Sequence, residues 1–106
     1  MLYNGIIKFI MQARAAISEK NIEKANNGII RAQDILAELQ TTLDMKYEVS
    51  EKLVLLYDYM YRRLIEANVR KDENILEEVL GFVKELRDVW TQAMKIAKKQ
   101  DRVKEA

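Results

Sequence analysis

The sequence predicts an all-α protein, specifically an antiparallel up-and-down four-helix bundle. Three observations carry this. The 106 residues include no proline and only three glycines, so little in the chain stops a helix. Apolar residues recur in steps of three and four along four separate segments, the spacing of one buried helical face. The breaks between segments are a few residues long, which makes consecutive helices antiparallel neighbours.

The first segment places Tyr3, Ile6, Ile10, Ala13 and Ile17 on one face. The second opens at Asn21, whose side-chain oxygen suits the free amides of a first helical turn. It holds phase through Ile22, Ala25, Ile29, Ala32, Leu36, Leu39 and Leu43. Asn26-Asn27-Gly28 would turn in isolation, yet the phase survives it, so the helix is expected to continue. A helical glycine costs roughly 1 kcal/mol against alanine. Close approach of a neighbouring helix is the expected reason for Gly28, and likewise for Gly5 and Gly81. Residues 44–49 lack the phase, and Ser50 is the expected cap of a third helix bearing Leu53, Tyr57, Met60, Leu64 and Ala67. Asp72 is the expected cap of the fourth, which carries Leu76, Val79, Val83, Leu86, Trp90, Ala93 and Ala97. Glu73, Glu77 and Glu78 lie near its positive end, and Lys95, Lys98 and Lys99 gather toward its negative end. The bundle is expected to span 1–98, with 99–106 a frayed polar tail.

The composition narrows function. Without cysteine there is no disulfide, thiolate nucleophile or thiolate metal site, and without histidine the commonest general base and metal ligand are missing. A di-iron carboxylate bundle needs Glu-x-x-His and is excluded; no glycine pattern suits a phosphate or dinucleotide. Asp34, Glu38, Asp58 and Glu66 suit solvated faces or ion pairs better than catalysis. The expected protein is therefore not an enzyme and takes no cofactor or metal. A net charge of +1 argues against nucleic acid. Arg62-Arg63 accordingly reads as a pair serving Asp58, Glu66 or another carboxylate, and the tail cations Lys98, Lys99, Arg102 and Lys104 are diluted by Asp101 and Glu105. No apolar run approaches membrane-spanning length and the first residues do not read as a secretory signal, so a cytoplasmic location without membrane insertion is expected.

The apolar surface exceeds what one core stripe per helix requires. Leu2, Phe9 and Ala16 flank the first stripe; Ile30 and Ile35 flank the second; Val54, Tyr61 and Ile65 edge the third; Ile75, Phe82, Val89 and Ile96 recur every seven residues on the fourth. Such positions thicken a core or form a groove for another chain. Tyr57, Tyr59 and Tyr61 point in three directions, so at least one belongs to the surface.

Four stretches in register, LYNGIIKFI (2–10), RAQDILAELQTTLD (31–44), YDYMYRRLIEAN (57–68) and EVLGFVKELRDVW (78–90), resemble the FliS family of flagellar secretion chaperones from Leu2 to about Lys95. The resemblance implies a small cytoplasmic four-helix bundle that binds the C-terminal region of flagellin in an extended, partly helical wrap. It also implies that premature polymerisation is blocked and flagellin is presented to the flagellar type III export gate. Disordered segments commonly fold on a partner in this way. Placing the client on the surplus positions, guided by the resemblance, selects Ile30, Ile35, Val54, Tyr61, Ile65, Phe82 and Val89 between the second, third and fourth helices. Family members begin with a polar arm and a proline-bearing start to the first helix, whereas this chain opens at MLYNG. That departure predicts a raised tendency to dimerise or exchange helices. The rival readings are a self-associating bundle whose extra stripe is a homodimer seam, and an adaptor sequestering a different protein.

Overall fold

The computed structural model describes residues 2–105. Four helices follow one another: α1 (Leu2–Ser18), α2 (Ile22–Thr42), α3 (Glu48–Arg70) and α4 (Glu73–Glu105). α1 packs on α2 and α4, and α3 packs on the same two, so the helices form a square with α1 and α3 on one diagonal. Side-chain contacts fix the antiparallel sense. Ser18 meets Glu73, Asn68 meets Asn26, and Arg63 meets Glu78, each joining the end of one helix to the early part of its neighbour or the reverse.

The predicted stripes form the core. Ile6, Ile10, Ala13, Ala25, Ile29, Ala32, Leu36, Met60, Leu64, Ala67, Leu76, Val79 and Val83 are fully buried, with Tyr3 and Tyr57 almost so. The α1–α2 contact is close because its residues are small. A Cβ on Gly28 would stand 3.0 Å from the carbonyl oxygen of Phe9 and 3.3 Å from the Ala13 Cβ, and one on Gly5 would meet Ile35 Cδ1 at 3.1 Å. The helix therefore runs through Asn26-Asn27-Gly28, and the glycine has its packing reason. Gly81 does not: nothing described lies within 4 Å of where its Cβ would be. It faces away from the Val79–Val83 stripe, two residues from each, so the expected close approach is absent there.

Two of the three caps match the sequence. Asn21 Oδ1 accepts from the Lys24 amide at 3.1 Å, and Asp72 Oδ1 accepts from the Asn74 amide at 2.8 Å. Ser50 is a correction. α3 starts two residues earlier, and Ser50 lies inside it, buried, with Oγ donating to the Asp44 carbonyl at 2.6 Å. The Asp44 side chain turns the chain instead, accepting from the Lys46 amide.

The stripe also overreaches at the start of α2 and midway along α4. Ile22 is 60 % exposed and Trp90 47 % exposed. α4 continues to Glu105, so the segment expected to fray is helical; it contains no glycine or proline to stop it. Ala97, Lys98, Arg102 and Lys104 have side chains outside the described ones. About fifteen residues of α4 extend past Trp90, roughly 22 Å at 1.5 Å per residue, which accounts for a molecule 57 Å long but only 24 and 18 Å across.

Candidate partner-binding surface

The site residues chosen from sequence fall on three seams. Val54, Tyr61 and Asn68 share one row of α3 at seven-residue spacing, and Asn68 Nδ2 donates to Asn26 Oδ1 on α2 at 2.7 Å. Ile30 lies one turn along α2 from Asn26, and Ile65 one turn along α3 from Tyr61. Ile30, Val54, Tyr61 and Ile65 thus border the α2–α3 groove; Ile30 and Ile65 are exposed, Val54 and Tyr61 half-buried. Phe82 and Val89 belong to the α3–α4 seam, where Phe82 packs edge-on against Tyr59 with ring centroids 6.1 Å apart. Ile35 is separated from them. It lies on the opposite flank of α2, against Gly5 of α1, and serves that contact.

A polar cluster pins the α3–α4 seam. The Tyr59 hydroxyl donates to Glu78 Oε1 at 2.7 Å, and Arg63 donates to both Glu78 oxygens, at 3.3 and 3.1 Å. The Tyr59 hydroxyl, and after it Arg63, holds the Glu78 carboxyl below the usual carboxylate range, while the bond to Glu78 pushes Tyr59 upward. Arg63 also reaches Glu66, which in turn faces Arg70 at 3.7 Å. Arg62 pairs with Asp58 at 2.6 Å. The adjacent arginines therefore serve carboxylates, as the sequence suggests, and Asp58 and Glu66 are occupied by cations. The three neighbouring tyrosines diverge: Tyr57 is buried, Tyr61 half-buried and Tyr59 42 % exposed.

The sequence reading did not single out the end of the bundle where α2 passes to α3. There Leu2, Tyr3, Leu39, Leu43, Tyr47, Val49, Leu53, Tyr57 and Trp90 line an apolar cavity of about 610 Å³. Inside it the Tyr3 and Tyr57 hydroxyls share a hydrogen bond of 2.5 Å across the α1–α3 diagonal. Burial, and then this bond, push the Tyr57 hydroxyl well above the usual phenol range. The available signal was the unphased stretch 44–49, whose Met45, Tyr47 and Val49 are apolar and exposed.

Among the described residues no three acidic side chains gather as metal ligands, and no helix is long and apolar enough to cross a membrane. What the fold offers is a helical bundle with apolar seams flanking α3 and an open apolar end.

Comparison with known sequences defines which one. Residues 1–97 match the family described as flagellar protein FliS. The flagellar secretion chaperone FliS of Bacillus subtilis is 46% identical over 99 residues, covering 93% of this chain and 74% of the relative. Its Escherichia coli counterpart is 30% identical over 97 residues, covering 89% and 71%, and that of Salmonella typhimurium 32% over 95 residues, covering 87% and 70%. The chain belongs to the FliS family of flagellar secretion chaperones, whose members are chaperones and not enzymes.

Proposed function

We propose that this chain is a cytoplasmic export chaperone for flagellin. It holds the disordered C-terminal segment of flagellin along the α2–α3 groove and the α3–α4 seam, keeps it from polymerising, and delivers it to the flagellar type III export gate. The observation that carries this reading is the row Ile30, Val54, Tyr61 and Ile65, apolar side chains left accessible along a groove between two well-packed helices. The names of the relatives support a secretion client of the flagellum. An extended segment fits better than a folded domain, because exposed apolar residues are strung along the helices over several turns. Each one covered is worth on the order of 1.5–3 kcal/mol before the cost of ordering the client.

Calorimetric titration with the C-terminal segment of flagellin tests the reading. Val54→Glu and Ile65→Glu are each expected to weaken binding by on the order of a hundredfold, about 2.7 kcal/mol, with helical circular dichroism unchanged. Both variants binding as tightly as the parent would show that the α2–α3 groove is not the site.

A further inference from the structure

The arginines of the bundle divide by what their guanidinium groups meet. Arg62, Arg63, Arg70 and Arg87 each reach a carboxylate of the chain, and Arg31 lies over the Phe9 ring, 5.5 Å from its centroid. Arg14 does neither. It is half-buried on α1, and its Nε is shut off from solvent with no acceptor among the described residues. A buried donor without a partner is costly, and more so on a charged group. Arg14 borders a hollow of about 260 Å³ between α1 and the start of α4, walled also by Met11, Ala15, Ser18 and Glu73. Glu73 does not supply the missing acceptor, because its carboxylate takes the Ser18 hydroxyl at 2.5 Å and leaves the Arg14 Nε unbonded.

We propose that this hollow docks an acidic helical segment of a second protein, one of whose carboxylates meets the Arg14 guanidinium. The charge on α1 selects that partner. Between Leu2 and Ser18 the helix carries Lys8 and Arg14 and no acidic residue. Neither cation is in an ion pair among the described residues. Lys8, Met11 and Arg14 follow at steps of three, so they cross one face of α1 as a diagonal row. Lys8 is exposed, Met11 is 53 % exposed, and Ala15 lies exposed beside it. A cation at each end with apolar area between them complements an amphipathic helix holding two acids around an apolar residue. Lys8 and Arg14 are separated by about 9 Å along the axis, and acids seven residues apart on a helix by about 10 Å. A carboxylate suits the arginine fork, since its two oxygens accept from Nε–H and an Nη–H together. A free small acid would satisfy Arg14 and leave Met11 and Lys8 uncovered. The site is also separate from the proposed client surface. α1 stands diagonally across the bundle from α3, whose two flanks hold that surface, so neither partner obstructs the other.

The probe is an alanine-rich helical peptide with two glutamates seven residues apart and a leucine between them. Its control carries glutamine in place of both glutamates. In nitrogen–proton correlation spectra the Arg14 Nε–H signal, assigned by its loss in Arg14→Met, is expected to shift as the glutamate peptide is added. Arg14→Met and the glutamine peptide should each weaken binding by roughly tenfold or more. Lys8→Gln, at an exposed position that the fold does not need, should weaken it about threefold, and added salt should weaken it too. Val54→Glu, on the client face, should bind the peptide like the parent. Lys8→Gln and the two peptides keep the test independent of whether Arg14→Met folds. The proposal is overturned if the glutamate peptide does not bind at millimolar concentration, if the glutamine peptide binds equally well, or if the Arg14 signal stays fixed while the peptide binds. Glutarate producing the same shift at the same concentration would also overturn it, because the site would then take small acids and not a helix.

Discussion

The two ends of the bundle are closed by different chemistry. At the end holding the α1–α2 and α3–α4 turns, both connections take the same form. Lys20 and Lys71 adopt left-handed backbone (φ 61° and 52°), and the next amides, of Asn21 and Asp72, reach back to the carbonyls of Ala16 and Ala67 at 2.8 and 3.1 Å. This is a helix-ending turn usually built on glycine. Side chains then tie the turns across the bundle: Ser18 Oγ donates to Glu73 at 2.5 Å, Asn68 to Asn26, and Lys71 Nζ to the Asn68 carbonyl and side chain. At the other end a single loop joins α2 to α3, α4 overshoots, and apolar side chains line a hollow instead of filling a core. The first end is satisfied internally by short polar links, and the second has apolar side chains around an open cavity.

The largest predicted effect lies at the closed end. Gly28→Val sets two γ-methyls where even a Cβ would already lie 3.0 Å from the Phe9 carbonyl, backbone that cannot swing aside. Loss of about 2–3 kcal/mol is expected, mostly from pushing α1 off α2, and urea denaturation followed by circular dichroism measures it. A near-neutral result would mean that the α1–α2 contact is looser than its small residues imply.

The open end has its own structural anchor, the Tyr3–Tyr57 bond. Tyr57→Phe leaves the Tyr3 hydroxyl without this partner among the described residues, at a cost of about 1–2 kcal/mol. The pH dependence has a definite sign. Tyr57 is shifted upward in the fold, so its contribution is complete below about 10, the ordinary phenol value of the unfolded chain, and is lost as pH rises beyond it. Urea midpoints of parent and Tyr57→Phe should therefore converge above pH of about 10, and a gap that widens there would contradict the burial of this hydroxyl.

Gly28 and Gly81 sharpen the same contrast with a smaller effect. Gly81→Ala adds a methyl to open space in mid-helix and should raise stability by about 0.5–1 kcal/mol. The urea midpoint checks it, and a loss would place a neighbour over Gly81 that the monomer does not contain.

These two glycines also show what the sequence could convey. Their faces were legible: Gly28 sits beside the Ala25–Ile29–Ala32 stripe, whereas Gly81 stands two residues from both Val79 and Val83, on the outward side. Helical phase gives direction around a helix but not the height at which its neighbours end, so Ile22 and Trp90 fit the pattern and yet lie exposed. For the same reason the end cavity was hard to foresee, being formed by the start of α1, the end of α2, the start of α3 and the middle of α4. Ile30 and Ile35 both edge the α2 stripe, but on opposite flanks. Which helix lies on each flank depends on the way the bundle turns, and α2's own residues do not encode that. Ser50 has the right chemistry for a cap, but its hydroxyl is engaged with the Asp44 carbonyl once Asp44 has turned the chain.

The smallest predicted effect lies between the two ends, where polar links give way to the apolar Phe82–Val89 seam. Glu78 accepts from Tyr59 and Arg63 and so titrates below an ordinary glutamate. Its contribution is present above about 4.3, the value in the unfolded chain, and is lost as pH falls through the lower value in the fold. The cluster is half-exposed, so solvent and salt screen it and the effect at neutral pH should stay below about 1 kcal/mol. Glu78→Gln keeps an acceptor for Tyr59 but loses the charge facing Arg63, and should flatten the stability profile of the parent between about pH 5 and pH 3. Comparing urea midpoints of the two proteins across that range isolates the carboxylate from the chain's other acids. A variant whose profile parallels the parent's would show that Arg63 takes its support from Glu66 alone, and the α3–α4 seam would then be held by the Tyr59–Phe82 contact and the core beneath it.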